Sequence, residues 1–445
     1  MKQYLIVLNN CTLFRFLFYA FLISSCLVAC RKDDKPYEHG NHASRYAGDV
    51  VTAWMDMQLR IVKSTAIGPN NQHSRFSAYC GIALYEAVVP GMKSYRSLSG
   101  QLTEIPSMPA TIGSGYHWAL CANAALAAMN RNFFTATSAE NKASMDSLEN
   151  VWNDHYKKHI TTEIFQRSQD FGRAVAQLIF DWSKTDGSLN VNPPYVPPVG
   201  PGLWAPTPPA FVPAAAPYWG SNRLLVQGSL DGSAPPPTPD YSTDPGSAYY
   251  AMVKEVYDVS QTLTAEQKAT AEYYRDNPGY GGGHYLSILM QLVKNKNLML
   301  DDAAIAYAKT GIALTDATIG CWKIKYQYNV ERPIKYIKEV LGQSEWNAVF
   351  GTPPHPDFPS GHSSLAGAVE VVFNNLFGPN YSFTNHTYDY LGMAPRTYSS
   401  FANMAEEIGK SRVYAGIHYT YSCEQGRKQG NKIALNIERK LKFKK

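Results

Sequence analysis

The chain is poor in charge and in cysteine, and both shortages limit what it can be. Of its 445 residues, 17% are charged and 45% are hydrophobic, and the net charge is +5. The basic residues are spread along the sequence, whereas a nucleic-acid-binding protein concentrates them on one face. The charge pattern therefore predicts no nucleic-acid partner. Of the seven cysteines, the four that follow Cys30 are widely spaced, which argues against a metal site built from sulfur ligands.

Long hydrophobic runs are missing as well, except at the N-terminus. No apolar run of about eighteen residues follows Cys30, so we expect no membrane-spanning helix beyond that point. The apolar stretch 16–29 ends in Leu-Val-Ala-Cys and is followed at once by charged residues, as in a secretory signal. The ending resembles a bacterial lipobox, which implies a lipoprotein signal peptide over 1–29 and lipid on Cys30. The alternative is an uncleaved anchor helix.

The sequence after Cys30 predicts a polar tether and one large helical domain. Residues 30–45 are mostly polar and have the composition of a linker. Apolar residues then recur at three- and four-residue spacing over 46–189 and again over 246–445, which indicates helices. Alternating β patterns are few, so we predict an all-α domain over 46–445 that is exported and membrane-anchored. Two disulfide bridges could form among its cysteines, which are Cys80, Cys121, Cys321 and Cys423.

Residues 190–245 interrupt the helical pattern. Repeated Pro-Pro pairs forbid helix and ordinary sheet there. Trp204, Phe211, Tyr218 and Trp219 lie among the prolines, and a disordered linker rarely carries so many aromatic residues. We therefore expect an ordered excursion that packs on the helical body and shapes the mouth of a pocket.

Two short segments in the C-terminal half carry groups that suit a bound oxyanion. Lys325 and Arg332 are seven residues apart, so on one helix they would share a face with Trp322. The alternative for this pair is an exposed basic stripe. Ser360 and Gly361 follow a Pro-rich turn and would open a helix, where free amides and the helix dipole attract anions. The alternative there is an ordinary helix cap.

A third segment adds another cation and another imidazole. Arg412 and His418 are six residues apart, so one straight helix would not align them. Gly416 lies between them and would end or loosen the helix, which would let both side chains turn inward. His362, directly after Gly361, would supply a general acid or base beside the same anion.

The three segments together resemble a known active-site signature. Lys325-x6-Arg332-Pro333, Pro359-Ser-Gly-His362 and Ser411-Arg412-x5-His418 are similar to the motifs of the superfamily that unites vanadium-dependent haloperoxidases with type-2 phosphatidic acid phosphatases. Trp322, three residues before the lysine, matches the haloperoxidase branch. The resemblance implies a haloperoxidase-like helical bundle whose catalytic core lies within 246–445.

The resemblance also implies a role for each motif residue. Lys325, Arg332 and Arg412 would neutralise the oxygens of bound vanadate or phosphate, and Ser360 with the Gly361 amide would hydrogen-bond them. His418 would ligate vanadium through a ring nitrogen, or attack phosphorus in a phosphatase. The remaining assignments are acid–base catalysis by His362, orientation of that ring by Asp276, and a halide pocket formed by Trp322 and His355.

Two positions bear on how the site would work. In chloroperoxidases the position of His355 is typically aromatic and in bromoperoxidases it is histidine, which favours bromide or iodide over chloride. The family pattern has aspartate four residues after the final histidine, where this chain has Ser422. Such a carboxylate fixes the tautomer of the imidazole and raises its basicity. Ser422 is expected to do this poorly, with Glu424 as a potential substitute.

Three functions are compatible with these residues. The first is an exported vanadate-dependent haloperoxidase that oxidises halide with hydrogen peroxide. The second is a phosphatase that uses the same residues on a phosphate monoester and forms a phosphohistidine at His418. The third is a non-catalytic lipoprotein with a decayed site, for which Ser422 is the only support. The N-terminal helices and the lack of membrane spans favour the first.

Overall fold

Helices dominate the computed structural model, which describes residues 42–66, 68–113, 115–276 and 283–445. Within these ranges there are thirteen α-helices and one short antiparallel ribbon, in which β1 (Phe383–Asn385) pairs with β2 (Arg396–Tyr398). The all-α prediction is confirmed. In chain order, α1 to α13 are Asp49–Ser64, Asn71–Val88, Trp118–Phe133, Ala139–Lys157, Thr162–Ser183, Ala248–Gln261, Ala265–Tyr273, His284–Asn295, Leu300–Tyr328, Pro333–Glu339, Gly361–Phe377, Phe401–Tyr414 and Thr420–Lys440.

Side-chain caps explain where several helices begin. Thr264 caps α7, and Gln267 returns a hydrogen bond to the Thr264 amide, which completes a capping box. Ser138 and Thr161 cap α4 and α5 in the same way through their hydroxyl oxygens. The last helix begins at Thr420, eleven residues before Asn431. Apolar periodicity misses its first turns, which contain Gly426 and Gly430 at positions of close helix contact.

Glycines allow two helix pairs at the centre of the fold to approach closely. In α2, a Cβ on Gly81 would lie 2.8 Å from the backbone of Tyr307 in α9. In α13, a Cβ on Gly430 would lie 1.8 Å from the carbonyl oxygen of Ser364 in α11. Neither distance is compatible with a side chain. The second contact holds the helix that follows Ser360 directly against the helix that follows His418.

The Pro-rich segment is ordered and packs on the catalytic half, as predicted. Trp204 is fully buried and its amide donates to the carbonyl of Asn329 at 2.7 Å. The carbonyl oxygen of Ala215 accepts from the Tyr326 hydroxyl at 2.7 Å, and its amide donates to Pro354 at 2.7 Å. The excursion therefore supports the end of α9 and the turn that precedes Ser360.

Two sequence-based expectations meet different outcomes. Cys80, Cys121, Cys321 and Cys423 are all free and buried, so the two bridges considered above do not form. None of the described helices is long and apolar enough to cross a membrane. The predicted signal peptide, Cys30 and most of the tether lie outside the described residues and stay predictions. Ala43–Arg45 form a 3₁₀ turn with Ala43 fully buried, and they belong to one compact unit that reaches Lys445.

Candidate active site

The second motif forms the N-terminus of α11. Ser360 is the N-cap residue with extended backbone angles, and its hydroxyl oxygen accepts from the Ser363 amide at 3.4 Å. Its own amide donates to the carbonyl of Ser422 at 3.0 Å. Gly361 is the first helical residue, and a Cβ there would lie 3.3 Å from the Trp322 ring. Glycine therefore leaves room between the helix end and the indole, as an anion-binding helix N-terminus requires.

The first motif does not lie on one helical face, so that prediction is wrong. Helix α9 ends at Tyr328, and Asn329 has the left-handed conformation with φ of +48°. Arg332 lies beyond this turn and precedes Pro333, which opens α10. A residue before proline is disfavoured in a helix, which explains why α9 does not continue. Lys325 and Arg332 still converge, because the turn folds Arg332 back toward the end of α9.

Both cations are held by the backbone of one short segment. The ammonium of Lys325 donates to the carbonyl oxygens of Pro356 and Asp357, each at 2.8 Å. The guanidinium of Arg332 donates through Nε to the His355 carbonyl at 2.8 Å. Lys325 and Arg332 are both fully buried. The basic-stripe alternative is therefore wrong for this pair.

The third motif converges on the same place from the other side. Helix α12 ends at Tyr414, and Gly416 at φ +76° turns the chain, as the glycine predicts. His418 lies in this turn, with 2% of its surface exposed, and its Nε2 is 3.1 Å from Nη1 of Arg332. Arg412 is buried and donates to the Ala271 carbonyl at 3.3 Å and to the Ser411 hydroxyl at 3.1 Å.

His362 and Asp276 lie at the more exposed edge of the site. Nε2 of His362 is 3.1 Å from Oδ1 of Asp276, and 27% of the His362 side chain is exposed. Asp276 also accepts from the Asn70 side chain at 2.9 Å. Burial would raise the pKa of Asp276, but His362, Arg412 and the Asn70 bond together lower this pKa to about 2. Asp276 is therefore an anion at neutral pH and can orient the imidazole.

A cavity of about 180 Å³ lies at the two histidines. His362 and His418 line it together with Gly361, Trp322 and His355, and Ala215 of the Pro-rich segment completes one side. The rings of Trp322 and His355 are 5.1 Å apart. The remaining lining is largely apolar and aromatic and includes Leu365, Ile417, Tyr274, Tyr285 and Tyr388.

The buried charged side chains near the cavity are mainly positive, which favours the binding of an anion. Burial lowers the pKa of Lys325 to about 8 and that of Arg332 to about 10, and it also lowers the pKa of Arg412. Within the described part of the chain, none of the three donates a hydrogen bond to a carboxylate. The nearest approach is Nη1 of Arg332 to Asp357, at 4.0 Å. An oxyanion would supply the missing negative charge, so the donor set fits vanadate or phosphate.

Asp357 is the functional residue that sequence reasoning missed. Its Oδ1 lies 2.8 Å from Nδ1 of His418, and its Oδ2 accepts a hydrogen bond from the Ser422 hydroxyl. Asp357 thus lies where a carboxylate partner of His418 is needed. Glu424 is exposed and is wrong as a substitute. The sequence signal that could have identified Asp357 is its acidic side chain in the segment 355–357, three residues before Ser360.

The contact between Ser422 and Asp357 changes the effect that we expect from a carboxylate placed at position 422. Ser422 is fully buried against Asp357, so Ser422→Asp would place two carboxylates side by side. We expect this variant to lose about 3–5 kcal/mol of folding free energy, as for an unpaired buried charge, and to bind vanadate no more tightly. Chemical denaturation and vanadate titration measure the two effects, with Ser422→Asn as the uncharged control. Tighter vanadate binding at unchanged stability would contradict the placement of Asp357.

Comparison with known proteins places this site in a family. The crystal structure of a protein described as the first bacterial vanadium-dependent iodoperoxidase is similar over 92% of this chain and 98% of its own, at 30% identity and a TM-score of 0.81. The chain belongs to the vanadium-dependent haloperoxidase family. A family model described as the VCPO second helical-bundle domain matches residues 306–443, which include all three motifs of this haloperoxidase.

More distant haloperoxidases share the fold. A bacterial vanadium-dependent chloroperoxidase in its holo form matches 85% of this chain and 94% of its own, at 16% identity and a TM-score of 0.63. The apo form of a bacterial vanadium-dependent chloroperoxidase gives 16% identity, 85% and 95% coverage, and a TM-score of 0.61. No curated protein sequence matches this haloperoxidase.

Proposed function

We propose that the protein is a vanadate-dependent haloperoxidase that oxidises iodide or bromide with hydrogen peroxide. The observation that carries the proposal is the cluster of three buried cations without a bonded carboxylate, beside two histidines at one cavity. The similarity to a bacterial iodoperoxidase over nearly its whole length supports the same activity.

The residues present define how vanadate would be held. Lys325, Arg332 and Arg412 would contact its oxygens, with the hydroxyl of Ser360 and the amide of Gly361 as uncharged donors. When bound, vanadate would act as a Lewis acid that activates peroxide toward a halide without changing its own oxidation state. The buried cations would supply charge stabilisation in a site that excludes bulk water.

His362, oriented by Asp276, would carry out the proton transfer. Because Asp276 is ionised, it can only accept a hydrogen bond, so it keeps the proton on Nε2 of His362. The other ring nitrogen then holds a lone pair and can take up a proton from incoming peroxide. The charge that develops on the ring is stabilised by Asp276 at 3.1 Å. The exposed edge of His362 allows the proton to pass to solvent.

The halide preference rests on the wall formed by His355 and Trp322. Nδ1 of His355 lies 3.0 Å from Nη2 of Arg332, which can only donate, and 3.3 Å from the carbonyl oxygen of Pro356, which can only accept. The shorter contact to a charged donor favours Nδ1 as the acceptor, with the ring proton on Nε2. Burial, with Lys325 and Arg332, holds the pKa of His355 well below 6.5, so the ring is neutral. A neutral donor beside an indole and apolar walls favours a large, weakly hydrated halide over chloride.

A phosphatase remains the second candidate, because the same donor set fits a phosphate monoester. His418 would attack phosphorus, and His362 would protonate the leaving alkoxide. The cations would stabilise the transferring phosphoryl group in the same positions. The apolar and aromatic cavity walls would then contact the alcohol part of the substrate.

Parallel assays separate the two functions. Purified protein receives orthovanadate, hydrogen peroxide and either iodide, bromide or chloride, and halogenation of a dye is followed. The same preparation, without vanadate, receives p-nitrophenyl phosphate. We expect vanadate-dependent halogenation with iodide and bromide ahead of chloride. Efficient phosphate release with no halogenation, although vanadate is demonstrably bound, would overturn the proposal in favour of the phosphatase.

A further inference from the structure

We propose that Asp357, supported by Ser422, is the positioning residue for His418. It would supply the carboxylate that the family pattern places at position 422, from a different segment of the chain. The inference rests on the proposed function only in taking His418 as the ligand of the oxyanion's central atom. It names a residue that acts through His418 and not on the substrate itself.

The first support is that Asp357 and His418 form a close pair that is buried from water. Oδ1 of Asp357 and Nδ1 of His418 are 2.8 Å apart in a place that water does not reach. Neither atom has another hydrogen-bond partner among the described residues, and at this separation the ring N–H does not point straight at the oxygen. A buried donor and acceptor without other partners are costly to leave apart. Each is therefore the nearest polar partner of the other, since the guanidinium of Arg332 lies farther from Oδ1, at 4.0 Å.

The second support is the tautomer of His418. Nη1 of Arg332 lies 3.1 Å from Nε2 of His418, and a guanidinium can only donate. Nε2 must then hold a lone pair, and in a neutral ring the proton lies on Nδ1, facing Asp357. This is the tautomer in which Nε2 is free to ligate.

The third support is that the same segment holds the cations. The carbonyls of His355, Pro356 and Asp357 accept from Arg332 and Lys325. The amide of Asp357 donates to the Val330 carbonyl at 2.9 Å, which fixes the segment against the turn after α9. Three consecutive residues therefore set the positions of two cations and, through the Asp357 side chain, of the ligand histidine.

Ser422 completes the arrangement. Its hydroxyl donates to Oδ2 of Asp357, and its carbonyl accepts the amide of Ser360. A serine at this position leaves room for the Asp357 carboxylate and also orients it. The serine at position 422 therefore indicates that the carboxylate comes from position 357, and not that the site has lost its function.

The test measures orthovanadate affinity without peroxide or halide. We expect Asp357→Asn to weaken binding by about 10–100-fold, the usual effect of removing a residue that orients a ligand. Ser422→Ala should give a smaller loss in the same direction. Glu424→Gln is the matched control, since it removes a nearby carboxylate that does not reach His418, and its affinity should stay within about twofold of the unaltered protein. A folded Asp357→Asn protein with unchanged affinity would overturn the inference.

Nitrogen-15 NMR of histidine-labelled protein without vanadate gives a second readout. We expect His418, assigned by the signal lost in His418→Gln, to carry its proton on Nδ1 in the unaltered protein. A proton on Nε2 would overturn the inference even if Asp357 variants fail to fold. Neither readout involves halogenation. If the haloperoxidase assay fails while both readouts are as expected, the proposed function alone is rejected. If the assay succeeds while both readouts contradict the expectation, the inference alone is rejected.

Discussion

Lys325→Met is expected to abolish tight vanadate binding and, at the same time, to stabilise the folded protein. The substitution keeps most of the side-chain volume but removes a buried cation whose hydrogen bonds to the described residues go to two carbonyl oxygens. Burial lowers the pKa of Lys325 to about 8, so the folded protein disfavours the charge, and we expect its removal to outweigh the loss of the two hydrogen bonds to carbonyl oxygens. The lost charge should cost more than about a hundredfold in vanadate affinity, because a close ionic bond to the oxyanion is removed.

The stability gain should depend on pH in a defined direction. Lys325 has an ordinary pKa of 10.5, and burial lowers this pKa to about 8 in the folded protein. Below pH 8 the folded state must carry a charge that its surroundings disfavour, and above pH 10.5 neither state carries it. Between these values the folded state binds fewer protons, so the free energy of unfolding of the unaltered protein rises with pH. The advantage of Lys325→Met should therefore shrink across that window.

Urea denaturation at pH 7 and pH 10, with vanadate titration at pH 7, checks both expectations. Lys323→Met is the matched control, because it lies two residues earlier on α9 and its side chain is exposed. It should leave vanadate affinity unchanged. A Lys325→Met protein that binds vanadate normally would show that the buried ammonium does not face the oxyanion.

His418→Ala is expected to remove vanadate binding and halogenation together. The ring is the only imidazole in contact with Arg332 through Nε2 in the described part of the chain, and it lines the cavity. Its loss removes the proposed ligand, leaves Asp357 without its histidine partner and removes one of the two histidines that contact Arg332. We expect affinity to fall by more than about a hundredfold, beyond the effect of disturbing a supporting residue.

A surface histidine supplies the comparison for that variant. His386 is half exposed and pairs with Asp389 away from the cavity, so His386→Ala should retain both vanadate binding and halogenation. Circular dichroism establishes that His418→Ala is folded before its affinity is measured. Halogenation at the unaltered rate in folded His418→Ala would reject the site as assigned.

Much of the fold could be predicted from the sequence, because its signals are local. Thr264 with Gln267, and Ser138 before an amphipathic run, fix helix starts through hydrogen bonds a few residues long. Gly416 predicts the turn that brings Arg412 and His418 to one side. The start of α13 has no such local signal. Its glycines follow from contact with α11, which is distant in sequence.

The candidate site also combines features that the sequence predicts with features that it does not. The three motifs indicated the oxyanion donors, since each carries its chemistry within a few residues. The shared helix face proposed for Lys325 and Arg332 was wrong because Asn329 adopts a left-handed conformation that spacing does not reveal. Asp357 was missed because its partner His418 is 61 residues away in sequence. The role of Ser422 becomes clear only when both segments are seen together.

The central claim is that the three buried cations and His418 form one vanadate site. A crystal structure of the protein soaked in orthovanadate tests it most directly, since the metal is identified by its anomalous scattering. We predict vanadium bonded to Nε2 of His418, with its oxygens in contact with Lys325, Arg332 and Arg412. Vanadium absent from this cavity at saturating concentration, or bound without contact to His418, would contradict the account.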